Sequence, residues 1–194
     1  MSRASIELLG GHLDGAELAD ELDRLYCYEQ VVVHWCMGVE NRLIGFASFV
    51  LGDELRHVAA EASAVGEQLA ARVAQLGGEI TADPTEFVER ASIEELRLPC
   101  DYSDVEEILT VAIGYERTVI AEYHNLLSGL RDYDVITHRL LAEILAAKLA
   151  REDELEAALT GAARTPATPA ATRRLRLPVV SEQPPAHATP KTSD

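Results

Sequence analysis

The stretch Asp53-Glu54-Leu55-Arg56-His57 lies in the middle of the longest helical pattern of this 194-residue sequence. Apolar residues recur at helical spacing from position 43 to position 76, and Gly77-Gly78 ends the pattern. Glu54 and His57 lie three residues apart, so their side chains leave the same face of the helix. Glu54, His57 and the nearby Glu61 lie beside apolar residues of that pattern, among them Phe46, Phe49, Val50, Val58 and Val65. We therefore expect at least two ionisable groups in a dry interior, where an unpaired charge is very costly.

Three further helical patterns surround this one. The first begins at Leu18 and reaches a predicted C-cap at Gly38. The third follows Ser103 and Glu106, which have the spacing of a capping box. The fourth ends at Gly161. Because the apolar residues are mostly aliphatic and only 5% of the chain is aromatic, the composition favours packed helices, and an all-α class is predicted.

The connection 79–102 between the second and third patterns is much longer than the turn 38–41 between the first pair. It carries Asp83-Pro84 and Pro99, and a short helix is predicted over 87–96. A connection of this length lets the third helix run parallel to the second. The predicted architecture is therefore a four-helix bundle made of two helical hairpins and one long crossover.

The sequence divides into one predicted domain and two flanking segments. Residues 1–15 form an N-terminal extension, residues 16–161 the four-helix bundle, and residues 162–194 a tail rich in Pro, Ala and Thr. Because such a composition buries too little apolar area to repay ordering, we expect the tail to be flexible. Its one basic and apolar stretch, Arg173 to Val180, is either a segment that docks a protein partner or a plain linker.

The net charge and the cysteine content limit which binding partners and which cell compartment are expected for the protein. The formal net charge is -16, so the bundle is not expected to bind DNA phosphates, and metal cations are the favoured partners. Acidity of this size also serves solubility alone. Cys27, Cys36 and Cys100 have neither the number nor the spacing of a disulfide framework or a zinc ribbon. Neither a signal peptide nor a membrane-spanning run is apparent, so we expect a cytoplasmic protein without membrane contact.

Two carboxylates on other helices are candidates for the same site as Glu54. Glu116 lies on the apolar stripe of the third helix, and Glu21 lies on that of the first. Similar numbers of residues separate Glu21 from Glu54 and Glu116 from Lys148, so each hairpin brings two of these positions to one level of the bundle. Glu29 is the alternative on the first helix, but Glu21 is preferred because the distance from Glu29 to Glu54 demands a shorter hairpin that ends inside 40–43. Carboxylates and imidazole that converge from several helices can surround an iron ion.

Several stretches resemble the bacterioferritin and Dps-like branch of the ferritin superfamily. The resemblance covers roughly residues 18–159, and it is carried by Glu21 to Tyr28, Asp53 to His57, Leu76 to Gly78, Asp104 to Leu109 and Leu140 to Leu145. It implies a ferritin-like fold, a homo-oligomer or mixed ferritin-like assembly, and a role in iron storage, iron oxidation or protection from oxidative stress. It also implies a set of metal ligands, Glu21, Glu54, His57 and Glu116, in which Glu54 bridges two irons.

Three positions depart from the pattern of that family. Lys148 and Arg151 stand where the family carries a second bridging Glu and a second His, and neither residue normally binds iron. Leu55 stands where bacterioferritins carry a haem-ligating Met, so haem is not expected.

Two hypotheses follow from these departures. In the first, the retained ligands bind iron, Glu152 substitutes for a missing one, and the protein is a weak ferroxidase that oxidises Fe²⁺ slowly with O₂ or peroxide. In the second, Lys148 and Arg151 neutralise the carboxylates in a buried ionic network. The bundle is then a metal-free structural or interaction protein.

Overall fold

The computed structural model describes residues 14–92, 97–130 and 134–164. Within these ranges there is no strand, and the four long helices are α1 Gly15–Glu40, α2 Gly45–Gln75, α3 Val105–Leu130 and α4 Val135–Arg164. The all-α class is confirmed. None of the helices in the described ranges is long and apolar enough to cross a membrane. The predicted docking stretch Arg173 to Val180 and nearly all of the predicted N-terminal extension lie outside the described residues.

Side-chain caps and one left-handed glycine fix where the helices begin and end. Asp14 accepts hydrogen bonds from the backbone of Glu17, and the Glu17 carboxylate accepts one from the backbone of Asp14, which completes a capping box at α1. Asp134 accepts from the backbone N–H of Thr137 and so caps α4. Gly77 has a φ of 82°, which only glycine adopts readily, and α2 stops before it as predicted.

Three other predicted helix ends were wrong by a few residues. The cap of α3 is Asp104, which accepts from the backbone N–H of Glu107 at 3.0 Å, whereas Ser103 instead donates to an aspartate of the preceding loop. Helix α1 passes through Gly38, and α4 passes through Gly161. A glycine inside a helix costs only about 0.5–1 kcal/mol relative to alanine, which the packing of neighbouring side chains outweighs.

The crossover between α2 and α3 contains little helix. It has a 3₁₀ turn, Pro84–Glu86, followed by a single α-helical turn, Phe87–Arg90. The helix predicted over 87–96 is therefore shorter than expected in its described part, and residues 93–96 lie outside the described ranges. Asp23 of α1 anchors this segment, because its carboxylate accepts hydrogen bonds from Thr81 and from Arg90.

The two hairpins pack with α3 antiparallel to α1. Arg24, early in α1, contacts Glu122 late in α3, whereas Trp35, late in α1, packs edge-on against Tyr115 early in α3. Because α2 is antiparallel to α1 in its hairpin, α3 runs parallel to α2. The ferritin-like arrangement predicted from the long crossover is confirmed. The core between the helices is aliphatic and includes Leu22, Leu25, Leu51, Leu69, Val119, Leu126 and Leu141.

Candidate functional site

A lysine and a glutamate form an ion pair at the centre of the bundle. Lys148 of α4 places its Nζ 2.9 Å from Oε1 and 3.1 Å from Oε2 of Glu29 on α1. The Glu29 side chain is 0% exposed, and Tyr123 of α3 donates its hydroxyl to Glu29 Oε1 at 2.8 Å. Burial alone would lower the pKa of Lys148, but the charges of Glu29 and Glu116 outweigh it, and that pKa lies above its usual value. Lys148 therefore carries its positive charge into the interior.

Glu116 of α3 lies beside this pair without joining it. Its Oε1 is 3.9 Å from Lys148 Nζ, which is beyond hydrogen-bond distance. Among the described residues, none donates a hydrogen bond to the Glu116 carboxyl. Burial raises the pKa of Glu116, and the positive charge of Lys148 opposes that rise only in part. Glu116 is thus the acidic group of the site that is stabilised least.

Arg151, one turn further along α4, pairs with the carboxylates of α2. Its Nη1 is 2.7 Å from Glu54 Oε1 and 2.9 Å from Glu154 Oε2, and its Nη2 contacts Glu61. Its Nε is buried, and within the described ranges that atom has no hydrogen-bond partner. Burial alone would lower the pKa of Arg151. The contacts with Glu61, Glu54 and Glu154 outweigh that effect, so the pKa lies above its usual value. Lys148 and Arg151 together thus place two positive charges on the side of the site that α4 forms.

His57 does not face the dry interior, so this part of the sequence prediction was wrong. Its side chain is 59% exposed and places Nε2 3.1 Å from Glu61 Oε1, while the Glu54 side chain is 39% exposed. The prediction took Phe46, Phe49 and Val50 as the buried row of α2, but all three are exposed. The row that is buried consists of Ala47, Leu51, Leu55, Ala59, Ala62, Leu69 and Val73. This row turns His57 outward.

The prediction that Glu21 lies at the same level of the bundle as Lys148 was also wrong. Glu21 pairs with Arg24 at 3.0 Å, two turns before Glu29 along α1. Helix α1 extends to Glu40 and α2 begins at Gly45, so the hairpin turn lies about three residues later than the predicted turn 38–41, which favours Glu29. Glu29 is therefore the residue of α1 that meets α4 at this level.

Glu152 does not reach the site as a substitute for the missing carboxylate. Its Oε1 accepts from Arg117 Nε at 2.6 Å, on the side of α4 that faces α3. The neighbouring Glu156 contacts the same guanidinium. Glu152 is therefore paired with Arg117 within the second hairpin.

Two cavities meet at the site. A cleft of about 220 Å³ lies between α2 and α4, and its polar lining consists of Glu61, Glu116, Lys148 and Arg151. A smaller and mainly apolar cavity of about 30 Å³ is lined by Trp35 and Cys36 and also touches Glu116. Solvent-sized molecules can therefore approach the buried groups through the gap between the two hairpins.

Comparison with known proteins agrees with this architecture. A family model described as a ferritin-like domain matches residues 17–165. The chain belongs to the ferritin-like family. A curated relative of this ferritin-like chain, the DNA protection during starvation protein of Pyrococcus furiosus, is 33% identical over 95 residues, which are 49% of this chain and 51% of the relative. The matched region thus spans about half the length of that relative.

Two solved structures share the ferritin-like fold. The bacterioferritin-related protein of Bacteroides fragilis, described as a dodecameric thioferritin, superposes with a TM-score of 0.73 at 23% identity. The match covers 84% of this chain and 96% of that one. The Dps protein of Listeria monocytogenes gives a TM-score of 0.68 at 18% identity, and the match covers 77% of this chain and 95% of that one. At these identities the likeness shows the fold alone.

The residues of this ferritin-like chain do not fit a di-iron centre as they stand. The carboxylates of Glu29 and Glu54 already accept hydrogen bonds from Lys148 and Arg151. Throughout the described parts of the chain, no group of three or more His, Cys, Asp or Glu side chains is arranged to hold a metal ion. Iron at this position would meet two fixed positive charges within a few ångströms, which opposes binding.

Sequence reasoning missed Tyr123 as a member of the site. The ring of Tyr123 lies fully buried on the apolar face of α3. A buried tyrosine hydroxyl nearly always needs a partner, and this rule would have indicated a polar group opposite it. Tyr123 also lies under the ammonium group of Lys148, at 5.7 Å from the ring centroid, which adds a cation–π contact.

Proposed function

We propose that this chain is a subunit of a ferritin-like assembly whose bundle centre is closed by ion pairs instead of a di-iron site. The observation that carries the proposal is the contact of Lys148 with Glu29 and of Arg151 with Glu54 and Glu61. These cations occupy the level at which the family's second bridging carboxylate and second imidazole are expected. The second of the two hypotheses from the sequence therefore has the stronger support.

The physical argument is charge replacement. A group of carboxylates inside a protein requires compensating positive charge, which a ferritin-like metal centre supplies with cations. Here an ammonium group and a guanidinium group supply it, so the fold does not depend on metal for neutralisation. Removing Lys148 leaves the fully buried Glu29 carboxylate without a charged partner, whereas the partners of Arg151 are 39% to 66% exposed.

We further propose that the assembly serves iron storage or protection from oxidative stress in the cytoplasm, without an oxidation centre in each bundle. Family membership and the names of the relatives support this role, and the three cysteines, which are all free, fit a reducing compartment. A homo-oligomer is supported by the apolar outer face of α2. Phe49 is 87% exposed and Phe46 67% exposed there, which is unusual for a side chain that stays in water.

A second candidate is a weak iron site at the mouth of the cleft. It is favoured by the contact of His57 with Glu61 and by the position of Glu54 on the same helix. Fe²⁺ would bind there as substrate only after Arg151 leaves both carboxylates. This candidate makes the protein a slow ferroxidase.

Anaerobic titration of metal-free protein with Fe²⁺, followed by exposure to air, separates the two candidates. We expect no saturable binding in proportion to subunits, and the same weak uptake in the wild type and in His57→Ala. Saturable uptake that is lost in Glu54→Ala and in His57→Ala, but kept in the control variant Glu152→Gln, whose carboxylate pairs with Arg117, would contradict the proposal and support the weak site.

A further inference from the structure

Lys148, Glu29, Glu116 and Tyr123 bring together the parts of an amide-forming centre. An amine and a carboxyl group are in contact, a second carboxyl lies beside the amine, and a hydroxyl donates to the first carboxyl. All four side chains are buried or nearly so. We propose that the folded protein joins Lys148 Nζ to Glu29 Cδ in an amide bond, which crosslinks α4 to α1 without any cofactor.

The distances suit this reaction. Lys148 Nζ lies 2.9 and 3.1 Å from the two oxygens of Glu29, so the carbon between them is within the roughly 3–3.5 Å of a near-attack arrangement. Rotation of the carboxyl group about its terminal bond turns its face toward the nitrogen. An amine and a carboxyl group held in this way react as an intramolecular pair, which removes the entropy cost of bringing two reactants together.

Tyr123 and Glu116 have separate roles in the step. The Tyr123 hydroxyl donates to Glu29 Oε1 at 2.8 Å, and the same hydrogen bond stabilises the negative charge that develops on that oxygen during attack. The Glu116 oxygen, 3.9 Å from Lys148 Nζ, is the nearest group that can move the proton between the amine and the leaving hydroxyl. Among the described residues none donates a hydrogen bond to the Glu116 carboxyl, so Glu116 can accept the proton without losing a hydrogen bond.

The reaction is a condensation that balances without an oxidant or a reductant. Glu116 carries one proton from the ammonium of Lys148 to an oxygen of Glu29, and the neutral amine then attacks the carboxyl carbon. A C–N bond forms, the nitrogen gives up a second proton, and Glu116 carries that proton to the same oxygen. The C–O bond to that oxygen breaks and the oxygen leaves as water. Ammonium and carboxylate thus become one amide and one water molecule. The cleft lined by Glu116 and Lys148 lets that water leave.

The crosslink would join positions 119 residues apart in the chain. A bond that closes so long a loop restricts the unfolded chain strongly, in the way that a disulfide does. The amide also removes two buried charges, which leaves the interior with a neutral and hydrogen-bonded group. The inference rests on the Lys148–Glu29 pair of the proposed function, which it converts from an ion pair into a neutral amide, and it does not depend on any iron activity.

Intact mass spectrometry of the denatured full-length protein tests this inference. We expect a mass lower than that of the sequence by one water molecule, increasing in occupancy when the folded protein is incubated. After trypsin digestion, peptide 25–42 should be joined to peptide 140–151, with no cleavage after Lys148 because its amine is acylated. Unmodified mass after prolonged incubation, or a water loss that maps to any other peptide, would overturn the inference.

Two variants and one control separate a built reaction centre from chance reactivity. Glu116→Gln should fold normally and keep the unmodified mass, and Tyr123→Phe should crosslink several-fold more slowly. Glu152→Gln, which changes a carboxylate paired outside the site, should crosslink as the wild type does. Equal crosslinking in Glu116→Gln and Glu152→Gln would remove the assigned role of Glu116. Absence of the amide together with a negative iron titration would overturn this inference and leave the proposed ionic centre in place.

Discussion

Replacing Lys148 by methionine should destabilise the bundle strongly. The substitution keeps the length and most of the volume of the side chain but removes the ammonium group that lies 2.9 Å from Glu29. The Glu29 side chain is fully buried, so the few water molecules that the cleft admits do not replace the hydration that the carboxylate has in bulk water. Its hydrogen bond from Tyr123 remains, but a neutral donor does not offset a full negative charge.

The expected loss is about 3–5 kcal/mol in the free energy of unfolding, the range for removing one partner of a buried ion pair. For a chain of this size the loss lowers the melting temperature by roughly 6–20 °C. The double variant Glu29→Gln with Lys148→Met provides the decisive comparison, because it removes both charges. It should regain at least half of the loss, since an uncharged amide can stay buried with its Tyr123 hydrogen bond.

Urea unfolding followed by circular dichroism measures both variants at one protein concentration, which holds any effect of assembly constant. Comparing the two variants with each other also excludes any amide crosslink, because neither contains Lys148. The reasoning is refuted if Lys148→Met costs less than about 1 kcal/mol, or if the double variant is no more stable than the single one.

Three further predictions concern other parts of the molecule. Glu116→Gln should leave stability unchanged at pH 4 and raise it as the pH increases, because burial raises the pKa of Glu116 and its ionisation opposes folding; urea unfolding from pH 4 to pH 8 measures the trend. Asp134→Ala should cost about 1–2 kcal/mol at pH 7 through loss of the α4 cap and of the contact with Arg72. Burial would raise the pKa of Asp134, but hydrogen bonds from Thr137 and the charge of Arg72 lower it to about 2, so the stability difference should be present above pH 4 and vanish as the pH falls toward 2. Phe49→Asp should reduce the size of the assembly in light scattering while the helical content is kept, and Val135→Asp, an exposed apolar position on α4, should not.

The architecture could be predicted from the sequence because it depends on periodicity and loop length. Each bundle helix repeats apolar residues over many turns. The pair Gly77-Gly78 is a strong signal for the end of α2, and Gly77 has the positive φ that such an end requires. The crossover could also be recognised, since only a long connection allows a parallel helix. Helix ends were less predictable where Gly38 and Gly161 are held inside helices by packing that local sequence does not record.

The sequence indicated which cations to look for but not all of the acids that they contact. Lys148 and Arg151 were candidates because carboxylates inside a bundle require compensation, and in the structure they contact Glu29 and Glu54 respectively. The two errors have different origins. Because α2 carries a second apolar row, with Phe46 and Phe49, that is exposed in the subunit, choosing that row as the buried one turned His57 inward. Ending α1 at Gly38 placed the hairpin turn too early, which favoured Glu21 over Glu29. A single sequence does not reveal which row faces the bundle.

The central claim, that two cations stand in for metal at this level of the bundle, is tested most directly by restoring the ferritin-like pattern. The double variant Lys148→Glu with Arg151→His is titrated anaerobically with Fe²⁺ beside the wild type, after circular dichroism has verified that both are folded. Our account predicts saturable binding in proportion to subunits, with faster oxidation in air, in the double variant alone. Saturable binding by the wild type that the double substitution fails to increase would contradict it.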